Sequence, residues 1–150
     1  MIDKIRKIGG TLCIIFFILS AIAIPNALYK GYLFNKNIGS YCELSYEASD
    51  IHKKIEYFDT CLDLLKKENF QGHSVWWFKK PDNKLIELYA VADSLQLRMH
   101  NLESMKKDSF EYQKGLEQVE EEIAHFIGYG TLSDFSRSYC FKNTWTKYLC

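Results

Sequence analysis

An unbroken apolar run occupies positions 8–28, and three segments with apolar residues at alternating spacings of three and four follow it. No charged residue interrupts the run, and about 20 apolar residues are the length needed to span the hydrocarbon core of a membrane. Three basic residues precede it: Lys4, Arg6 and Lys7. Basic residues before an apolar segment predict an export signal or a membrane anchor whose N-terminus lies in the cytoplasm.

Two outcomes of export are compatible with this run. The tripeptide Ala21-Ile22-Ala23 offers small residues where a signal peptidase cleaves, which would give a soluble product that starts at Ile24. Tyr29, Tyr32 and Phe34 instead follow at the depth where aromatic residues favour the membrane interface. We expect residues 1–34 to form a retained anchor, with the following domain extracytoplasmic, and keep the cleaved signal as the alternative.

The segment from Ile14 to Tyr32, with Ile24-Pro25 closely followed by tyrosines, resembles the N-terminal helix of type IV pilins. Gly9-Gly10-Thr11-Leu12 is similar to the processing site of that family. The resemblance covers less than a fifth of the chain. For a cut at Gly9, Ile14 occupies the fifth position after the cut, where pilins have Glu. It implies a pilin-like envelope subunit, although pilin heads are rich in β-structure.

Residues 40–150 have the pattern of a helical bundle, preceded by a short polar linker at 35–39. Ser40 and Glu43 form a capping box that predicts one helix from Tyr41 to about Glu68. Its apolar seam has heptad spacing, as in coiled coils: Leu44, Ala48, Ile51, Ile55, Phe58, Leu62 and Leu65. Gly72 lies beyond its end.

Two further seams predict two more helices. The first contains Leu85, Leu88, Ala92, Leu95, Met99 and Leu102; the second contains Tyr112, Leu116, Val119, Ile123 and Phe126. Asp108 and Glu111 form a capping box before the last one, and Gly128 and Gly130 follow it. The sequence therefore predicts an all-α chain: an N-terminal transmembrane helix, an up-down-up three-helix bundle, and a short C-terminal helix with an extended tail.

Composition favours one folded domain that does not bind nucleic acid. Two prolines and an aromatic content of 15% argue against disorder. After Pro25 the chain has 16 basic and 18 acidic residues, a net charge of −2. A nucleic-acid binder would normally present a basic face.

The five cysteines predict disulfides in an oxidising compartment. Cys13 lies in the apolar run, which leaves the even set Cys42, Cys61, Cys140 and Cys150. On one continuous helix, Cys42 and Cys61 would be about 28 Å apart, too far to pair. We therefore expect Cys61 to pair with Cys140 and Cys42 with Cys150, with residues 144–150 largely extended. The crossed pairing and four reduced thiols in the cytoplasm are the alternatives.

No catalytic or cofactor motif emerges from the sequence. Glu122 and His125 have the Glu-x-x-His spacing of di-iron bundles, but that architecture needs two such motifs and two further glutamates. Four histidines (His52, His73, His100 and His125) show no zinc-binding spacing. We therefore expect a protein that is not an enzyme and that has no metal or cofactor site.

The aromatic cluster Trp76, Trp77 and Phe78 is a candidate binding site for a protein partner, because such residues dominate interface hot spots. The sequence places it at the bundle tip farthest from the membrane, where it could equally cap the core. The predicted function is a non-enzymatic, membrane-anchored interaction or scaffold protein of the cell envelope, with a protein partner or self-association. A ligand-binding or sensing domain is the alternative, with Tyr89, Met99, Tyr112 and the tryptophans lining its pocket.

Overall fold

The computed structural model describes residues 2–72, 74, 84–128 and 130–145, with side chains from residue 9 to residue 140. The described regular elements are helical. They are α1 (Ile2–Phe34), a π-helical turn (Asn35–Gly39), α2 (Ser40–Glu47), α3 (Ile51–Glu68), α4 (Leu85–Glu103), α5 (Phe110–Gly128) and α6 (Thr131–Trp145). The all-α prediction is confirmed for these residues.

The first three elements form one continuous rod. Phe34, Gly39 and Ser40 all have right-handed helical backbone angles, so the chain passes from α1 to α2 without leaving a helix. Ser40 Oγ donates to the carbonyl of Lys36, one turn back, instead of capping a helix start. The predicted capping box is therefore wrong, and the segment predicted as a linker is helical. At 1.5 Å per residue the rod is about 70 Å long.

The predicted first helix of the bundle is two helices, because the chain reverses between α2 and α3. Ala48 (ψ 132°) and Asp50 (ψ 131°) have extended backbone angles, and α3 begins at Ile51. Ser49-Asp50 is a weak helix-start signal, and the three-four spacing of apolar residues continues across it without a break. Because of the reversal, α3 runs back toward α1, opposite to the predicted direction.

Helices α3 and α4 are antiparallel. Lys66 near the end of α3 pairs with Asp93 in the first half of α4 (2.7 Å), and His52 at the start of α3 pairs with Glu103 at the end of α4 (2.7 Å). The predicted seam of α4 is confirmed, since all six of its residues are buried: Leu85, Leu88, Ala92, Leu95, Met99 and Leu102.

Helices α4 and α5 also pack antiparallel. Gly115 of α5 faces Leu102 so closely that a Cβ there would lie 2.7 Å from Leu102 Cδ1. Helix α5 buries four of its five predicted seam residues, and Leu116 packs against the core from the edge. The N-cap is Ser109 rather than Asp108, because Ser109 Oγ accepts a hydrogen bond from the amide of Tyr112 (3.1 Å).

Helix α6 leads the chain back to α1. Leu132 and Phe135 are buried, and the ring of Tyr139 lies 5.6 Å from that of Phe34. Its helix continues to Trp145, so residues 144 and 145 are not extended as predicted, and residues 146–150 lie outside the described part of the chain.

The disulfide pairing differs from the predicted one. Cys42 is bonded to Cys61, with Cα atoms 5.6 Å apart, so Cys61 is not bonded to Cys140. The predicted partner of Cys42, Cys150, lies outside the described residues. The exclusion of Cys42 with Cys61 assumed an unbroken helix, and the reversal at 48–50 brings the two side by side.

Candidate functional site

The apolar run forms an exposed surface on α1. Side chains from residue 9 to residue 29 are exposed, including Phe16 (70%), Phe17 (77%) and Leu28 (70%). The helical stretch Gly9–Glu47 contains an 18-residue window of mean hydropathy 2.3, none of it buried within the protein. By length and composition this helix can cross a membrane, and a signal sequence would have the same properties.

The Cys42–Cys61 bridge lies in the core, where α2 packs on α3. Both cysteines are almost fully buried, with exposed fractions of 0% and 1%. The bridge joins the rod to the first helix of the returning chain. It therefore ties the end of the rod covalently to the bundle.

A buried lysine provides a second link between α2 and α3. Lys54 is 2% exposed; its Nζ donates to the carbonyl of Tyr46 (2.9 Å) and pairs with Glu120 on α5 (3.2 Å). Ser45 Oγ, also buried, donates to the carbonyl of Lys54 (2.8 Å). This network links α2, α3 and α5. Sequence reasoning missed it, and the only signal was the position of Lys54 beside the seam residue Ile55.

A cleft of about 200 Å³ lies between α4, α5 and the start of α6. It is lined by Val91, Leu95, Arg98, Glu122, His125, Phe126 and Thr131. Arg98 pairs with one carboxylate oxygen of Glu122, and the other, Oε2, is buried with no hydrogen-bond partner among the described residues. The Glu-x-x-His pair therefore lines a small open cleft, in which Glu122 is half-buried and His125 is exposed.

The residues predicted to line a ligand pocket do not form this cleft. Met99 and Tyr112 are core residues with exposed fractions of 0% and 8%. Tyr89 donates to the carbonyl of Leu65 (2.7 Å) and accepts from the amide of Phe70 (3.3 Å), which satisfies backbone groups at the end of α3. Burial raises the pKa of the Tyr89 phenol, so it remains a protonated donor.

Two histidines lie together on the α3–α4 surface. His52 hydrogen-bonds Glu103 (2.7 Å), and His100 pairs with Asp59 (3.3 Å) and more distantly with Glu103 (3.9 Å). The hydrogen bond to Glu103 raises the pKa of His52 above 6.5. Within the described part of the chain, no group of three or more His, Cys, Asp or Glu residues is arranged to hold a metal ion. His73 lies outside that part.

Cys140 lies against α1 instead of against Cys61. Its Sγ donates to the carbonyl of Ala27 (3.5 Å), and its own carbonyl accepts from Lys30 Nζ (3.5 Å). Burial raises the pKa of the Cys140 thiol. A protonated thiol is a poor nucleophile, so the geometry fits packing rather than thiol chemistry.

The predicted partner-binding residues Trp76, Trp77 and Phe78 lie outside the described residues. The two ends of that segment are described, and the amide of Leu85 donates to the carbonyl of Gly72 (3.0 Å). Phe70, just before it, contacts the rings of Phe135 and Tyr139. The end of α3 that precedes this segment therefore packs against α6.

Comparison with protein-family models, with curated proteins and with solved structures found no match to this chain.

Proposed function

We propose that the protein is a single-pass membrane protein with a cytoplasmic N-terminus, whose helical bundle is a non-enzymatic interaction or scaffold module of the cell envelope. The observation that carries this proposal is the unbroken helical rod, which is apolar and exposed over residues 9–29 and enters the core from Phe34 onward. A bundle mounted on such a rod is held at a set distance and angle from the membrane. A bundle held in this way can present a binding surface to another protein in a fixed position.

The disulfide supports an extracytoplasmic bundle. Structural disulfides persist in oxidising compartments and are rare in the cytosol. The three basic residues before the run favour a cytoplasmic N-terminus, which places the bundle on the other side of the membrane. The disulfide and the basic residues therefore support the same orientation.

Exposed apolar side chains on α4 support a role in protein contacts. Ile86 (70% exposed) and Leu97 (62% exposed) are eleven residues apart, about three helical turns, and so share one face of the helix. Ala90 is exposed between them. Apolar groups on the outer face of a helix whose inner face is already buried are available to a partner.

Topology and association can be tested together on the full chain in membranes. A membrane-impermeant reagent should reach Met105→Cys only from outside the cell, and the native protein should sediment with membranes after alkaline washing.

Cross-linking in situ should give a discrete adduct that Leu97→Asp abolishes, with Asp63→Asn, an exposed substitution on α3, as the matched control. A soluble product starting at Ile24, or no adduct, would contradict the proposal.

A ligand-sensing function is the second candidate, and the cleft beside Glu122 supports it. An unpaired carboxylate oxygen next to apolar Val91 and Leu95 would suit a small ligand with a hydrogen-bond donor and an apolar body. Native mass spectrometry of the purified full chain tests this. A retained small molecule that is lost in Glu122→Gln would favour sensing over the scaffold.

The pilin-like alternative depends on the N-terminal helix alone. The described elements after α1 are helical, which does not favour the β-rich head that the resemblance implies. Purified filaments that contain this chain would revive that alternative.

A further inference from the structure

Helix α6 extends from the middle of the bundle to the apolar run of α1. Thr131, at its start, lines the cleft between α4 and α5. Two turns later the ring of Tyr139 lies 5.6 Å from that of Phe34, and Cys140 Sγ lies 3.5 Å from the carbonyl of Ala27. Helix α6 therefore descends along α1 in the antiparallel direction, toward the N-terminus of the rod.

The contact with Ala27 sets the depth of α6. The charge-free stretch extends from residue 8 to residue 29, and about 20 residues cross the hydrocarbon core, so Ala27 lies near its outer boundary. Lys30, the first charged residue after the stretch, donates to the carbonyl of Cys140. Helix α6 continues for five residues to Trp145, about 7.5 Å farther in the same direction.

We propose that the last two turns of α6, residues 138–145, enter the membrane that α1 crosses at the boundary between its headgroups and its acyl chains. This attachment rests on the proposed membrane anchoring and adds a second, peripheral contact that fixes the tilt of the bundle. The partner is the lipid surface itself, at the boundary between headgroups and acyl chains.

The chemistry of both helices at this level fits that partner. Tyr29 and Tyr32 of α1 are exposed there, at 61% and 60%. The sequence of residues 138–145 includes Phe141, Lys142 and Trp145. Aromatic and lysine residues are enriched at the membrane interface, because they combine an apolar body with a polar or charged end. The Asp134–Arg137 ion pair lies one turn above, on the aqueous side.

Fluorescence quenching in vesicles of phosphatidylcholine and phosphatidylglycerol tests the depth. Each chain keeps the Cys42–Cys61 bridge and has one other cysteine, the reporter, which carries a small fluorophore. The remaining cysteines are replaced by serine. The reporters are Asn143→Cys in the last turn of α6, Ser133→Cys in its first turn, Met105→Cys at the far tip, and native Cys13 in α1. Lipids with a nitroxide near the headgroup or at mid-chain act as quenchers.

The proposal expects several-fold stronger quenching by the shallow nitroxide at Asn143→Cys than at Ser133→Cys, and none at Met105→Cys. Lys142→Cys repeats the measurement in case the label at position 143 disturbs the helix, and circular dichroism checks the fold of each chain. Quenching of Cys13 by the mid-chain nitroxide reports the anchor separately. If Cys13 is quenched while positions 142 and 143 behave like Met105→Cys, the interfacial role of α6 is refuted and the anchor stands. If Cys13 is not quenched, both fail.

Discussion

The α2–α3 and α4–α5 hairpins are both antiparallel helix pairs, yet different interactions hold them. Helix α4 buries six apolar residues along 19 positions, and α5 meets it with an apolar seam. Helix α2 is eight residues long, and its buried residues are Cys42 and Ser45. A helix this short offers too little apolar surface to hold itself in place. Besides the buried Phe34 and Ile38 earlier in the same rod, its attachment depends on the disulfide and on the hydrogen bonds of Lys54.

The comparison teaches that apolar seams and specific links are alternative ways to close a hairpin. A seam distributes its stabilisation over many contacts and is insensitive to redox conditions. A disulfide and a buried cation concentrate it in two places. The two hairpins should therefore respond differently to core truncation, reduction and pH.

The largest effect is expected from Ile123→Ala, which creates a cavity in the α4–α5 seam. Ile123 is fully buried, and such a truncation should lower the free energy of unfolding by about 3 to 4 kcal/mol. Denaturant titration of the full chain in micelles, followed by circular dichroism, measures it. The matched control is Ile86→Ala on the exposed face of α4, expected within about 0.5 kcal/mol of the parent. Equal losses in both variants would contradict the packing described here.

Removing the disulfide should have the next largest effect. Cys42→Ala with Cys61→Ala should lower the free energy of unfolding by about 3 kcal/mol, because the bridge closes a loop of about 20 residues and restricts the unfolded chain. Reductant should lower the stability of the parent and of Ile123→Ala, but not of the double variant. Cys13→Ser is the control. A parent protein indifferent to reductant would show that the bridge does not form.

Lys54→Met should cost about 1 to 2 kcal/mol. The methionine keeps the apolar stem but leaves the carbonyl of Tyr46 without its buried donor. Lys53→Met, at the exposed neighbouring position, should be nearly neutral. If the two variants unfold at the same denaturant concentration, the buried network contributes nothing to the hairpin.

The smallest effect concerns pH and the α3–α4 surface. Glu103 raises the pKa of His52 above 6.5, with Asp50 and Glu56 adding to it. A raised pKa in the folded state means that the stabilisation is complete below pH 6.5 and is lost as the pH rises through the folded pKa. The parent should therefore lose slightly more stability than His52→Gln as the pH rises from about 6 through the folded pKa of His52. Identical profiles would show that the pair contributes nothing.

The sequence by itself determined the elements whose signals are local. The apolar run predicts α1 because a charge-free stretch of that length is typical of a membrane-spanning or signal helix. The seams of α4 and α5 lie in the core as their spacing predicts. Each of those seams lies within one uninterrupted helix. A local period is then sufficient to identify the buried face.

Only the tertiary structure decided the reversal at 48–50 and everything that depends on it. Leu44, Ala48 and Ile51 keep the three-four spacing across the break, so the period looks the same for one helix and for two. The distance that excluded the Cys42–Cys61 bond was calculated for one straight helix. In the fold, the chain reverses between the two cysteines, so that distance does not apply. The burial of Lys54, the cleft beside Glu122 and the contact of α6 with α1 join residues distant in sequence, for which no local period carries information.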